Sequence, residues 1–140
     1  MNLKFRCWNK ENKEMDWVRR LEWDNSFFYI EPEQYSDLFT LEDYDLMPYI
    51  GVKDSFGKEI YVSDIVRAES SYEVLYGIVR FGSYNYEYDT DYNQRFYIEW
   101  LTRPNYRGDI FWWLSEKSQC TLEVVDNIYE NKRGLIKNED

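Results

Sequence analysis

Residues 46–66 read LMPYIGVKDSFGKEIYVSDIV, and this segment limits the fold more than any other. Residues 49–53 form an extended run. Asp54-Ser55-Phe56-Gly57 is a turn in which Gly57 is free to take a positive φ. Glu59-Ile60-Tyr61-Val62 resumes with β-branched and aromatic side chains. Ser63-Asp64 breaks that run before Ile65-Val66 starts another strand. Short strands joined by corners this tight are how small barrels and rolls begin.

The opening of the chain is also extended. Leu3, Phe5 and Cys7 alternate with charged or polar neighbours, Asn9-Lys10-Glu11-Asn12-Lys13 is a polar turn, and residues 14–19 return as the second arm of a hairpin. Asp24-Asn25-Ser26 marks another turn, and Phe27-Phe28-Tyr29-Ile30 reads as a third strand. Residues 31–45 differ. Leu38, Leu41 and Tyr44 recur at helical spacing among frequent acids, which predicts a linker with one or two short helical turns.

Residues 72–81 form a long strand with Gly77 inside, where a bulge or bend is expected. Residues 95–101 and 110–114 read as further strands around an exposed loop at 102–109. Residues 122–129 are the last strand, and 132–140 a charged, frayed tail. The expected architecture is mainly β. An N-terminal hairpin region, 1–30, leads through the linker, 31–45, to an SH3-like open barrel or roll over 46–130, with a tail at 131–140 and minor helix. An α+β roll is the alternative if 31–45 or 115–120 become true helices.

Separated motifs along the chain resemble the YopX family of small phage and prophage proteins. Lys4-Phe5-Arg6 with Trp8, followed by Lys10-Glu11-Asn12-Lys13, is similar to the family's opening strand and turn. Residues 49–66 are similar to its tyrosine-glycine-leucine-lysine-aspartate strand, asparagine-glycine-lysine-glutamate turn and glycine-aspartate-isoleucine-valine corner. Gly77, Val79 and Phe81 match a glycine-x-valine-x-phenylalanine strand, and residues 123–131 resemble the closing strand. Ser63 and Asp126 stand where the family usually has glycine, so those corners are expected to bend differently. The resemblance implies a phage accessory protein in the bacterial cytoplasm, from a family whose biochemical activity is not established.

Composition removes whole classes of chemistry. The chain has no histidine, so the usual general acid/base, the commonest zinc ligand and every Ser-His or Cys-His pair are missing. Glycines are scattered, with no phosphate-cradling loop. We expect no enzymatic activity, catalytic residue, cofactor or metal. Lys plus Arg is 17 against 27 Asp plus Glu, a net charge of −10 that repels a phosphate backbone, so direct nucleic-acid binding is not expected. No basic patch stands out beyond Arg19-Arg20 and Arg103 to Arg107. No apolar run is long enough to span a membrane and the first residues lack a signal-peptide core. Cys7 and Cys120 are too isolated for a metal or redox motif and read as reduced thiols.

Aromatic residues make up 20% of the chain, more rings than a core of this size needs. Tyr84, Tyr86 and Tyr88 would share one face of a strand, with Glu87, Asp89 and Asp91 opposite. That pattern fits a contact surface for a basic partner, or tyrosines packed on a sheet with acids in water. A calcium loop lacks its glycine and distal glutamate. Trp112 and Trp113 would lie on opposite faces of a strand, one in the core and one free for a subunit or partner contact. The expected function is a non-enzymatic assembly or protein-interaction module that forms homo-oligomers and binds a host or phage protein. An acidic mimic of DNA is the alternative.

Overall fold

The computed structural model describes residues 4–83, 94–103 and 107–137. The chain is mainly β, as expected, and its described strands lie in two antiparallel sheets with no closed barrel. Two compact units, Met1–Gly51 and Val52–Asp140, divide it. That boundary lies inside a strand, Tyr44–Lys53.

The first unit holds β1 (Phe5–Asn9), β2 (Glu14–Asp24), β3 (Phe27–Pro32) and most of β4 (Tyr44–Lys53). The order is β3-β2-β1-β4. The expected hairpin forms, with Arg6 opposite Trp17 and Asn9 opposite Glu14. Asn9 Oδ1 accepts from the backbone N–H groups of Glu11 and Asn12, which closes the turn at 10–13. The β2–β3 turn is as tight as the sequence suggested, since Asp24 already pairs with Phe27. Asn25 there takes φ 54, a left-handed conformation that asparagine tolerates. An extra residue, Arg19, bulges between the pairs Val18–Pro32 and Arg20–Glu31.

Within 31–45 one tight turn forms, where the Asp43 and Tyr44 N–H groups both bond Thr40 O at 3.1 and 3.2 Å, but no helix follows from it. Ile30 and Phe39 instead exchange backbone hydrogen bonds of 2.7 and 2.8 Å, which fold this segment back onto β3. The leucine spacing that suggested helix serves packing: Phe39 covers a small core of Cys7, Ile30 and Tyr44 together with Val18, Leu21, Phe28 and Leu46. β4 then pairs with β1, Tyr44 opposite Asn9 and Pro48 opposite Phe5.

The second unit contains β5 (Glu59–Tyr61), β6 (Asp64–Glu69), β7 (Val74–Ser83), β8 (Gln94–Trp100), β9 (Arg107–Gly108) and β10 (Thr121–Asn127). Its sheet runs β10-β6-β7-β8-β9. Ile60, Tyr61, Ile65, Val66, Ala68, Ile78, Val79, Ile98 and Leu122 are all buried, as the β-rich reading of this region required.

The corner at 54–57 forms as expected, with Gly57 at φ 88. Ser63 takes φ 79, so the left-handed backbone of a glycine corner is kept despite the serine, contrary to expectation. Its N–H and C=O bond Val79 and Ile128, which holds the strained residue in place. β10 carries its own bulge, between Val124 and Asp126. Gly77 sits in regular register opposite Trp100, with no bulge or bend. A Cβ there would collide with Ile98 and lie 3.0 Å from Trp100, so close packing accounts for this glycine.

The tail is not frayed over the described residues. The Asp126 carboxylate accepts from the backbone N–H groups of Asn127, Lys132 and Arg133. Asn131 adds two side-chain bonds to the backbone of Ile136.

Candidate interaction surface

The largest departure from the sequence reading lies at residues 110–114, which form a short helix, α1 (Ile110–Leu114), and not a strand. The aromatic run Phe111-Trp112-Trp113 favours strand by propensity, but both ends of the segment are capped. Asp109 accepts from the Phe111 N–H at 3.0 Å. At the other end, Ser115 Oγ donates to Trp112 O at 2.6 Å and Ser118 Oγ to Trp113 O at 3.1 Å. A 3-10 turn over Glu116–Ser118 completes the exit.

Helical spacing redistributes the rings. Ile110 is buried and Trp113, three residues on, is half-buried on the same side. Phe111 and Trp112 stay 53% and 50% exposed. Trp113 packs edge-on against Trp100, with centroids 5.6 Å apart, and Trp112 stands at 90° to Trp113 at 5.5 Å. Trp100 is 2% exposed and is held between two glycines. A Cβ on Gly108 would lie 2.6 Å from its ring, as one on Gly77 would crowd it from β7. An exposed aromatic pair thus rests on a rigid, buried tryptophan. Trp113 is half-buried and Trp112 exposed, and a helix, not the expected strand, sets that division.

Tyr84, Tyr86, Tyr88, Glu87, Asp89 and Asp91 lie outside the described residues, and so do Asn105 and Tyr106 in the basic loop. Next to the first group, Phe81 is 52% exposed and packs on Phe96 across the β7–β8 pair, at 5.0 Å. The first unit has a second exposed aromatic site that the sequence analysis did not single out. Trp23 and Phe27, at the tip of the β2–β3 hairpin, are 75% and 60% exposed. Trp23 contacts Phe28 at 4.5 Å. The cross-strand register carries that signal, and it follows only once the two-residue turn at Asn25-Ser26 is placed.

The buried polar groups are structural in their bonding. Burial pushes the Cys7 thiol up to about 12, helped by the neighbouring Asp16 charge. Burial does the same to the Tyr44 phenol, also to about 12, although Asn9 Nδ2 donates to it at 3.0 Å. Both groups are neutral and poorly reactive at neutral pH. Asp16 accepts from the backbone of Trp17 and Gln34. Burial raises Asp126, but the backbone donors of Arg133, Asn127 and Lys132 outweigh it and hold the carboxyl below the usual value. Among the described residues no group of His, Cys, Asp or Glu could hold a metal ion. Nor is any helix there long and apolar enough to cross a membrane. Arg19 and Arg20 pair with Glu31, and Arg20 also with Glu22, while Arg103 pairs with Glu73. The expected basic clusters are therefore neutralised where they are described.

Two antiparallel sheets and a glycine-bracketed tryptophan define a small, mainly β protein with an exposed aromatic face. The YopX protein family matches residues 4–135, nearly the whole chain, and this chain belongs to that family. The crystal structure of protein EF1440 from Enterococcus faecalis is similar in fold, with a TM-score of 0.53 at 21% identity, covering 97% of this chain and 99% of that one. A search of curated proteins finds no match.

Proposed function

We propose that this chain is a non-enzymatic interaction module, a phage or prophage accessory protein that acts in the bacterial cytoplasm. It docks a host or phage protein through the ring faces of Phe111 and Trp112. The observation that carries this reading is the exposure of those two rings, 53% and 50%, on a helix braced by Trp113 and Trp100. Contact energy concentrates on aromatic anchors that lose little side-chain freedom on binding, and braced rings meet that condition. The absence of histidine from the sequence supports a non-enzymatic role.

The acidic mimic draws on the net charge of −10. Against it, described carboxylates such as Glu22, Glu31, Glu69, Glu73 and Glu130 are interleaved with Arg20, Arg67, Arg103 and Lys132 in ion pairs. They do not stand in phosphate-like rows.

The test is affinity capture of partners from the bacterial host with the native chain and with Phe111→Ala/Trp112→Ala, followed by calorimetry on the purified partner. Loss of affinity on the order of 100-fold in the double variant supports the assignment. Equal affinity for both chains, or the same capture profile from both, rejects it.

A further inference from the structure

We propose that the tip of the β2–β3 hairpin docks an arginine side chain of a partner protein, held between the Phe27 ring and the Asp24 carboxylate. This surface belongs to the first unit and does not rest on the partner reading of α1.

The register of the hairpin builds the site. Past the bulge at Arg19, Arg20 pairs with Glu31, Glu22 with Tyr29 and Asp24 with Phe27. Side chains alternate along a strand, so these six share one face. The opposite face carries Leu21, Phe28 and Ile30 into the small core. The six therefore lie on the face turned away from the core, with charged residues along β2 and two rings on β3.

One end of this row shows what the other end is suited to. The Arg20 guanidinium pairs with Glu31 at 2.9 Å and with Glu22 at 3.4 Å. Those carboxylates are already answered within the chain, and Glu31 also by Arg19. Asp24 differs. It is exposed and, among the described residues, in no ion pair. From Leu21 to Val52 the sequence has acids but no lysine or arginine, so that stretch supplies no cation to answer it. Phe27 stands directly across from Asp24 and is 60% exposed, with the Tyr29 ring 6.4 Å away. Directly opposed side chains of an antiparallel pair start about 5 Å apart at Cβ, so one planar group can touch both.

Chemistry selects the occupant. A ring beside an unanswered carboxylate attracts a cation and repels a phosphate, and the net charge of −10 acts in the same sense. Guanidinium fits this pair better than ammonium. Its plane lies on a ring while its N–H fork reaches a carboxylate, whereas an ammonium remains a hydrated point charge. Trp23 projects from the other face of the same tip, 75% exposed and resting on Phe28 at 4.5 Å. A second arginine of the same segment meets a ring there. The occupant is therefore an arginine-bearing peptide segment and not the free amino acid.

The experiment is calorimetry on the full chain with a synthetic peptide of alternating glycine and arginine at physiological salt. The lysine version of that peptide is expected to bind at least about fivefold more weakly. Phe27→Ala leaves the net charge unchanged and is expected to weaken the arginine peptide about tenfold, whereas Phe27→Tyr keeps both ring and affinity. Asp24→Asn is expected to weaken it by a similar factor. Asp37→Asn removes the same charge from an exposed position outside the row and is expected to change little. Circular dichroism confirms that each variant is folded. The proposal is overturned if the arginine peptide does not bind, or if the lysine peptide binds equally well. It is also overturned if Phe27→Ala binds like the native chain, or if Asp37→Asn costs as much as Asp24→Asn. A single-stranded oligonucleotide that binds the native chain but not Phe27→Ala would overturn it too, because the ring would then serve a base. Partner capture through Phe111 and Trp112 is measured separately, so either idea can fail without the other.

Discussion

In the second unit the outer edge of β10 is plugged by side chains, whereas in the first unit the outer edge of β3 is met by backbone, at the Ile30–Phe39 bridge. The plug is the turn at 54–58. Asp54 Oδ2 accepts from the Val124 N–H at 2.8 Å, and Ser55 Oγ accepts from the Leu122 N–H at 2.9 Å. Ser55 N–H returns a bond to Leu122 O at 2.9 Å. A five-residue turn therefore stands in for a missing strand. Aliphatic residues of the second unit are buried beside Tyr61, Tyr97, Trp100, Asp54 and Asp64, while the first unit buries Cys7, Tyr44, Asn9 and Asp16 close together in its sheet. The comparison teaches that a sheet edge can be closed by the side chains of a turn or by a single backbone bridge from a returning loop.

The sharpest way to break that contrast is Asp54→Ala. It removes the acceptor for Phe56, Lys58 and Val124 from a site that is 6% exposed. The expected loss is about 3 kcal/mol in denaturant unfolding, with faster hydrogen exchange at Val124. Gly77→Ala attacks the same unit from inside, because the new methyl has no space against Ile98 and Trp100. About 2 kcal/mol is expected, with a red-shifted tryptophan emission as Trp100 is displaced.

pH separates the two units. Asp126 has a depressed carboxyl in the second unit, so its contribution is present above the ordinary value of 3.8 and is lost as pH falls through the lower folded-state value. Asp126→Asn is expected to flatten acid unfolding and to cost about 1.5 kcal/mol at neutral pH. In the first unit the shift has the opposite sense. Cys7 stays protonated to about 12 when folded but ionises near 9.0 when unfolded, so stability falls as pH rises between those values. Cys7→Ala should remove part of that alkaline loss in a urea titration at stepped pH. The smallest effect runs the other way. Ser63→Gly relieves a left-handed serine at φ 79 and should raise stability by about 1 kcal/mol.

Much of the second unit could be read in the sequence because local signals agreed there. The corner at 54–57, the run at 59–61 and the burial of Tyr61, Ile65 and Ile78 follow from turn residues and alternating patterns. The first hairpin was legible for the same reason. What stayed hidden depends on distant partners. Leu38, Leu41 and Tyr44 suggest helix, but only the turn at 40–44 forms because Phe39 is bonded to Ile30. Phe111-Trp112-Trp113 looks like strand until the caps from Asp109, Ser115 and Ser118 are counted. The tail seemed free because Asp126 and Asn131 gather its backbone only after β10 has formed. The aromatic surplus correctly pointed to exposed rings, but their positions required the β2–β3 register and the turn of α1.

The row of Trp100, Trp113 and Trp112 has an optical consequence. Three indoles in edge contact, the first 2% and the last 50% exposed, lie well within the range over which excitation migrates between them. Light absorbed in the interior can thus emerge from the surface indole, so quenching by anything that settles on Trp112 would register in the emission of all three. The chain carries its own label-free gauge of occupancy at that face.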